Sequence, residues 1–242
     1  MALTKVTTGT IASETIKSAN IEDGAIVNAD VNASAAIVAS KLSGVESGLA
    51  SVQTFTSSGT WTRPSGITKV IMEVQGGGGG GGKGANGDYN MGGASGGYCK
   101  KFLDVSSIST ATITIGSGGT AIAHNATGAG GDGGNTIWAD GTNTVTAGGG
   151  DGGDNSAIYV ISIGGTATGG DINIPGQSVQ AQATTEPGRS LLGSCGCWVY
   201  STSAAGVQNA TGYGAGGTTW AGYTSHGTGT GSAGIVIVWE YK

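Results

Sequence analysis

Three kinds of side chain in this sequence could do chemistry, and all of them sit among glycines. The first kind is aromatic and polar. Segment 83–91 holds Asn86, Asp88, Tyr89 and Asn90; 194–210 holds Trp198 and Tyr200; 218–226 holds Trp220, Tyr223 and His226, shortly after Tyr213. Aromatic faces stack on sugar rings and anchor protein contacts, while Asn and Asp add directional hydrogen bonds. Aromatics are only 6 % of the chain, so their concentration here marks recognition segments, although the same rings could cap a glycine scaffold. The candidate receptor-binding residues are Tyr89, Asn90, Trp198, Tyr200, Tyr213, Trp220, Tyr223 and His226.

The second kind is acidic. Gly130-Gly131-Asp132-Gly133-Gly134-Asn135 and Gly149-Gly150-Asp151-Gly152-Gly153-Asp154 fit the start of a calcium β-roll nonapeptide, but tandem copies, which such rolls need, do not follow either one. The third kind is thiol. Cys195-Gly196-Cys197 lacks the second Cys/His pair of a zinc site, and the only histidines are His124 and His226. No metal and no cofactor is expected. No carboxylate pair stands out for glycoside hydrolysis, and no glycine run continues into the Gly-Lys-Ser/Thr of a phosphate loop. The chain therefore reads as a binding protein and not as an enzyme.

Composition limits what can position these groups. Of 242 residues 51 are glycine, roughly three times ordinary usage. Only three prolines and no Gly-X-Y period exclude collagen, and 10 % charged residues exclude a charge-rich disordered tail. A net charge of −5 without a Lys/Arg cluster argues against nucleic acid. No stretch approaches the ~20 apolar residues of a membrane span. The start Met-Ala-Leu-Thr-Lys lacks an apolar run, and three cysteines make no disulfide framework, so folding in a cytoplasm is expected.

The composition changes near residue 52, which divides the chain into an arm (1–51) and a glycine-rich domain (52–242). In the arm Ile11, Ile16, Ile21, Ile26 and Val31 recur every five residues. That period fits neither a lone helix nor a flat strand and resembles one coil of a β-helix, which needs neighbours to bury it. Val38, Leu42, Val45, Leu49 and Val52 then follow a 4-3-4-3 seam weakened by Gly44 and Gly48. Such short elements hold only between chains. The expectation is an intertwined arm, trimeric, with a short helical or β-helical stalk. Ile11, Ile16, Ile21, Ile26, Val31, Val38, Leu42, Val45 and Leu49 are its trimerisation residues.

Past the arm, short strands alternate with glycine tracts. Strands are expected at 55–61, 67–75, 98–105, 111–115 and 235–239, with a turn at Arg63-Pro64-Ser65-Gly66. The two strongest, 67–75 and 235–239, flank the glycine region and should pair, closing a small β base. The tracts are 76–82, 92–97, 128–134, 148–153, 164–170, 212–217 and 227–234. Without Cβ atoms they can pack as extended three-fold helices of the polyglycine-II kind, each satisfying its backbone through its neighbours. The fold class expected is mainly β, a small base carrying a polyglycine-II bundle.

The frame Phe55-Thr-Ser-Ser-Gly-Thr-Trp61-Thr-Arg-Pro64-Ser-Gly66-Ile-Thr-Lys-Val70-Ile-Met-Glu-Val74, followed by the glycine run, resembles the glycine-rich domain of bacteriophage tail fibres and adhesins. Gly130-Gly131-Asp132-Gly133-Gly134, Thr168-Gly169-Gly170-Asp171 and the ending Gly234-Ile235-Val236-Ile237-Val238 are similar too, as is the arm around Lys41-Leu42-Ser43-Gly44. The resemblance implies a virion-surface protein, a homotrimer that attaches to other virion proteins of tail or capsid. Its ligand would be a host surface glycan or outer-membrane protein. The alternative is a purely structural head fibre or decoration protein without a receptor.

Overall fold

The computed structural model describes residues 48–84, 90–155, 160–180, 186–195, 208–219 and 227–242, and within the arm residues 19, 21–22, 25–27, 31–32 and 35. The chain divides into two units, Met1–Glu46 and Ser47–Lys242. In the first, the backbone bends at Ile21, Ile26 and Val31, on the five-residue beat. Turns close by Ala25 N–H to Glu22 O (2.9 Å) and Ala35 N–H to Asn32 O (2.8 Å). Ile21, Ile26, Val27 and Val31 are exposed. Ile11, Ile16, Val38, Leu42 and Val45 lie outside the described residues.

Alternation of apolar and polar side chains builds the second unit, whose strands are numbered in chain order. One open antiparallel sheet orders β1 (Leu49–Phe55), β14 (Ile235–Tyr241), β3 (Lys69–Gln75), β4 (Tyr98–Asp104) and β10 (Ile172–Ile174). The other orders β2 (Gly59–Thr62), β5 (Thr110–Thr114), β6 (Thr136–Ala139), β7 (Thr144–Ala147) and β9 (Ala167–Thr168). Two short ribbons pair β8 (Ile161–Ser162) with β11 (Val179–Gln180) and β12 (Gly193–Ser194) with β13 (Thr211–Gly212). The fold is mainly β. Strand β14 pairs β3 over its full length, from Ile235↔Gln75 to Tyr241↔Lys69, as the two flanking apolar runs predict.

The two sheets share one core. Val70, Met72, Val74, Cys99, Val236 and Val238 face Trp61, Ala111, Ile113, Trp138, Val145 and Ala147 across it. Trp61 and Trp138 meet with centroids 5.1 Å apart. Glu240 is fully buried at the edge of this core, accepting from Gln53 Nε2 (2.7 Å), Trp61 Nε1 (2.8 Å) and the Ser51 hydroxyl. It ties β14 to both sheets.

Three expectations need correction. Leu49 and Val52 belong to strand β1, not to a helical seam, because they pair with Tyr241 and Trp239. The 55–61 run is broken, since β1 ends at Phe55 and β2 starts at Gly59 in the other sheet. The base is not small. It holds two five-stranded sheets, because 136–139 and 144–147 form a hairpin around Asp140-Gly141-Thr142-Asn143.

The glycine tracts continue the strands out of the sandwich: 76–83 after β3, 116–120 after β5 and 148–154 after β7, with 91–97, 128–134 and 227–234 returning into β4, β6 and β14. A side-chain layer keeps stacked sheets about 10 Å apart, whereas hydrogen-bonded strands sit at about 4.8 Å. Where side chains vanish the layers close, and backbone groups bond between them. From 76 to 83 every N–H has an acceptor, and the acceptors rotate among three tracts. Residues 76, 79 and 82 donate to Gly97, Ala94 and Met91; residues 77, 80 and 83 to Gly134, Gly131 and Gly128; residues 78 and 81 to Ser232 and Gly229. Three parallel tracts donate back, through Gly150 and Gly153, Gly119, and Gly217. The six neighbours also bond around the ring, for example Gly133 to Gly150, Gly134 to Ser117, Gly234 to Gly116, Gly229 to Thr218, Gly96 to Gly214 and Gly97 to Gly148. A Cβ on Gly79 would lie 2.0 Å from Asp151 O, so close approach, not a left-handed φ, requires glycine there.

Candidate functional site

The site is built by the far ends of these tracts. Outgoing and returning tracts are in register, so their ends are level. Lys83 and Gly128 exchange backbone hydrogen bonds (2.8 and 2.9 Å), Gly82 N–H reaches Met91 O (2.8 Å), and Thr219 Oγ1 donates to Gly82 O (2.8 Å). Thr228 Oγ1 donates to Gly81 O (2.6 Å) and accepts from Ile122 N–H (2.7 Å). The described residues that flank 85–89 and 220–226, namely Gly84, Asn90, Thr219 and Gly227, thus stand at one end of the bundle. Leu49, Lys69, Asp104 and Tyr241 pair at the opposite end of the unit.

Lys83 is almost wholly buried at this end, and its burial lowers the ammonium pKa from the ordinary lysine value. Asn90 Oδ1 accepts from Gly84 N–H at 2.7 Å, closing the base of the 84–90 segment. Beside it, 121–127 forms an exposed turn (Ala126 N–H to Ala123 O, 3.2 Å) with Asn125 at φ 59°, a conformation that asparagine tolerates. His124 is exposed there, next to Gly227. Sequence reasoning passed over His124 and Asn125 as site residues. Asparagine in a short polar stretch between two tracts was the available signal.

Of the predicted receptor-binding residues, Asn90 stands at this end. Tyr213 does not join it. It is half-buried at the sandwich end, where its N–H reaches Leu192 O (3.2 Å) and its carbonyl accepts from Ser190 Oγ (2.5 Å). Tyr89, Trp198, Tyr200, Trp220, Tyr223 and His226 lie outside the described residues, as does Cys197.

The acidic motifs have a structural use. Asp132 Oδ1 accepts from Gly152 N–H (2.8 Å) and Asn135 Oδ1 from Gly149 N–H (2.9 Å), so both cap a neighbouring tract. Among the described residues no group of three His, Cys, Asp or Glu is placed to hold a metal. Cys99 is buried, its thiol directed at Thr146 O (3.3 Å), and burial pushes its pKa up. Cys195 is buried as well.

A family model described as a glycine-rich domain matches residues 51–241. The chain belongs to that family. The match begins inside β1 and ends with β14, so it takes in both sheets and the whole bundle. Comparison with the curated proteins finds no match.

Proposed function

We propose that this protein is a bacteriophage virion fibre component, attached to the particle through its N-terminal arm, that binds the host cell surface with the segments at the far end of its glycine bundle. The polarity of the Ser47–Lys242 unit carries this reading. The chain enters at β1, at the pole where Leu49 pairs with Tyr241, and the segments around Asn90, His124 and Gly227 emerge at the other pole. An end-on binder needs that separation of anchor from contact surface. The polar residues at the far pole suit a hydroxyl-rich ligand such as a surface glycan. The resemblance of the Phe55–Val74 frame to phage tail-fibre adhesins supports the same class.

In this reading the tracts are polyglycine-II helices. Rotation of donors through three neighbours in three residues is what a three-fold helix without internal hydrogen bonds requires. The bundle acts as a stiff spacer and the segments at its end as the contact surface. The arm joins copies into a homotrimer, so weak contacts are multiplied by valency.

Binding of the full-length protein to host and non-host cells tests the proposal, beside N90A, H124A and Y223A proteins with unchanged thermal melts. Selective host binding by wild type, reduced at least several-fold in one or more variants, is expected. No binding by wild type overturns the receptor role and leaves a structural fibre. Undiminished binding by all three variants moves the contact surface elsewhere.

A further inference from the structure

The two outer faces of the sandwich have opposite chemistry. On the sheet built from β2, β5, β6, β7 and β9 the outward row is Thr60–Thr112–Ala139–Thr144, with Thr62, Thr110 and Thr114 beside it. That is the polar face an antiparallel sheet shows to water. On the other sheet the corresponding row is Val52–Trp239–Ile71–Phe102, cross-strand partners in register across four strands. Val52 (43 %), Phe102 (54 %), Ile172 (51 %) and Ile174 (44 %) are exposed on this face, with Ile71 and Trp239 half-buried between them. Of the two rows beside this row, one carries Glu73 and Lys100, which pair at 3.6 Å with the Tyr98 hydroxyl donating to Glu73 at 2.9 Å, and the other carries the cross-strand partners Lys69 and Asp104. The Trp239 indole N–H is buried with no acceptor among the described residues.

We propose that the arm of a second copy of this chain covers this face. An apolar sheet face of this extent marks an interaction surface, and the chain itself supplies a matching surplus. Forty-six residues precede the unit and lead into β1, the edge strand of this same sheet. Their described apolar residues Ile21, Ile26, Val27 and Val31 are exposed in turn. Two unburied apolar surfaces on one polypeptide, joined at an edge strand with one side unpaired, are satisfied together when copies associate. This rests on the self-assembly in the reading above and is independent of host binding.

Light-scattering mass measurement on the full chain during size-exclusion chromatography tests it, comparing wild type with V52K/F102E and with L191E, which charges an exposed apolar residue outside the row. Wild type and L191E are expected at a multiple of the 23.3 kDa chain mass, and V52K/F102E at the single-chain mass with an unchanged near-UV spectrum from the Trp61–Trp138 pair. A monomeric wild type overturns the self-assembly reading and this proposal together. An oligomeric V52K/F102E overturns the proposal alone and leaves assembly to contacts away from this face.

Discussion

Glu240 shows how a single side chain holds the sandwich shut. Its buried carboxylate accepts from Ser51, Gln53 and Trp61, so donors from both sheets converge on one acceptor. Truncation leaves the buried Trp61 indole N–H without a partner. E240A is expected to cost about 1–3 kcal/mol, which lowers Tm by several degrees in a unit of this size. Differential scanning calorimetry measures it, and a Tm within a degree of wild type would refute the role. Asp140 works at smaller scale. Partial burial pushes its carboxyl up, but N–H donors from Asn143 (2.7 Å) and Thr142 (2.9 Å), with the Trp138 and Asn143 side chains, outweigh that and hold its pKa below the ordinary carboxylate value. The folded state therefore binds fewer protons than the unfolded one below about pH 4. Its contribution is present above that pH and is lost as pH falls through the folded value. Urea melts from about pH 5 to 2 should show a shallower acid loss for D140N than for wild type.

Among the elements, the 76–83 tract is the one with no free side. Six tracts surround it, and a Cβ at Gly79 meets Asp151 O at 2.0 Å. G79A is expected to cost more than about 3 kcal/mol, because rigid backbone and not a flexible side chain must move. Gly59 in β2 has nothing within 4 Å of its would-be Cβ and no left-handed φ, so G59A should be neutral or gain up to about 1 kcal/mol. Equal destabilisation by the two would remove close packing as the reason for glycine. The same geometry explains what the sequence disclosed. Strands β3, β4 and β14 were legible from period-two alternation, and the bounding pair from its apolar strength. The hairpin of β6 and β7 was obscured, because TIWA and TVTA are short and glycine-flanked; the Asp140-Gly141 pair between them was the signal. In the tracts the readable signal has period three. Ala129, Asp132 and Asn135, Ser117 and Thr120, and Ile163 and Thr166 are non-glycine residues three apart, and all are exposed. Only a tract with neighbours on every side must be glycine throughout, and 76–82 is the one uninterrupted run of seven. Grouping by nonapeptide missed this, since GGDGGN is two triplets whose third residue faces solvent. At the far pole, aromatic concentration pointed to 83–91 and 218–226, whose flanking residues do meet. Tyr213 was misgrouped because six residues of tract carry the chain from the sandwich end to Thr219.

For the whole molecule, the question is whether the bundle is a separate, looser layer or one cooperative unit with the sandwich. Glycine pays the largest entropic cost on ordering, and no large side chain lies inside the ring around 76–83, which argues for looseness. Against that, all eight N–H groups from 76 to 83 are bonded to tracts continuous with β4, β6 and β14, and carbonyls of the run accept from tracts continuous with β5, β7 and β13. The central tract cannot open by fraying. It must displace neighbours that are anchored in both sheets, and each displaced neighbour leaves its own buried backbone groups without partners. Local opening is therefore about as costly as global unfolding, and the bundle inherits the stability of the sandwich core. Native-state hydrogen exchange reads this directly. The amides of Gly76, Gly77, Gly78, Gly79, Gly80, Gly81 and Gly82 should exchange as slowly as those of Val70, Met72 and Val74, with the same opening free energy and the same denaturant dependence. Amides of Ala123 and His124, in the exposed turn, should exchange orders of magnitude faster. Fast exchange at 76–82 beside a protected β3 would make the bundle a loose appendage, and a stiff spacer carrying contact segments at its end could no longer be sustained.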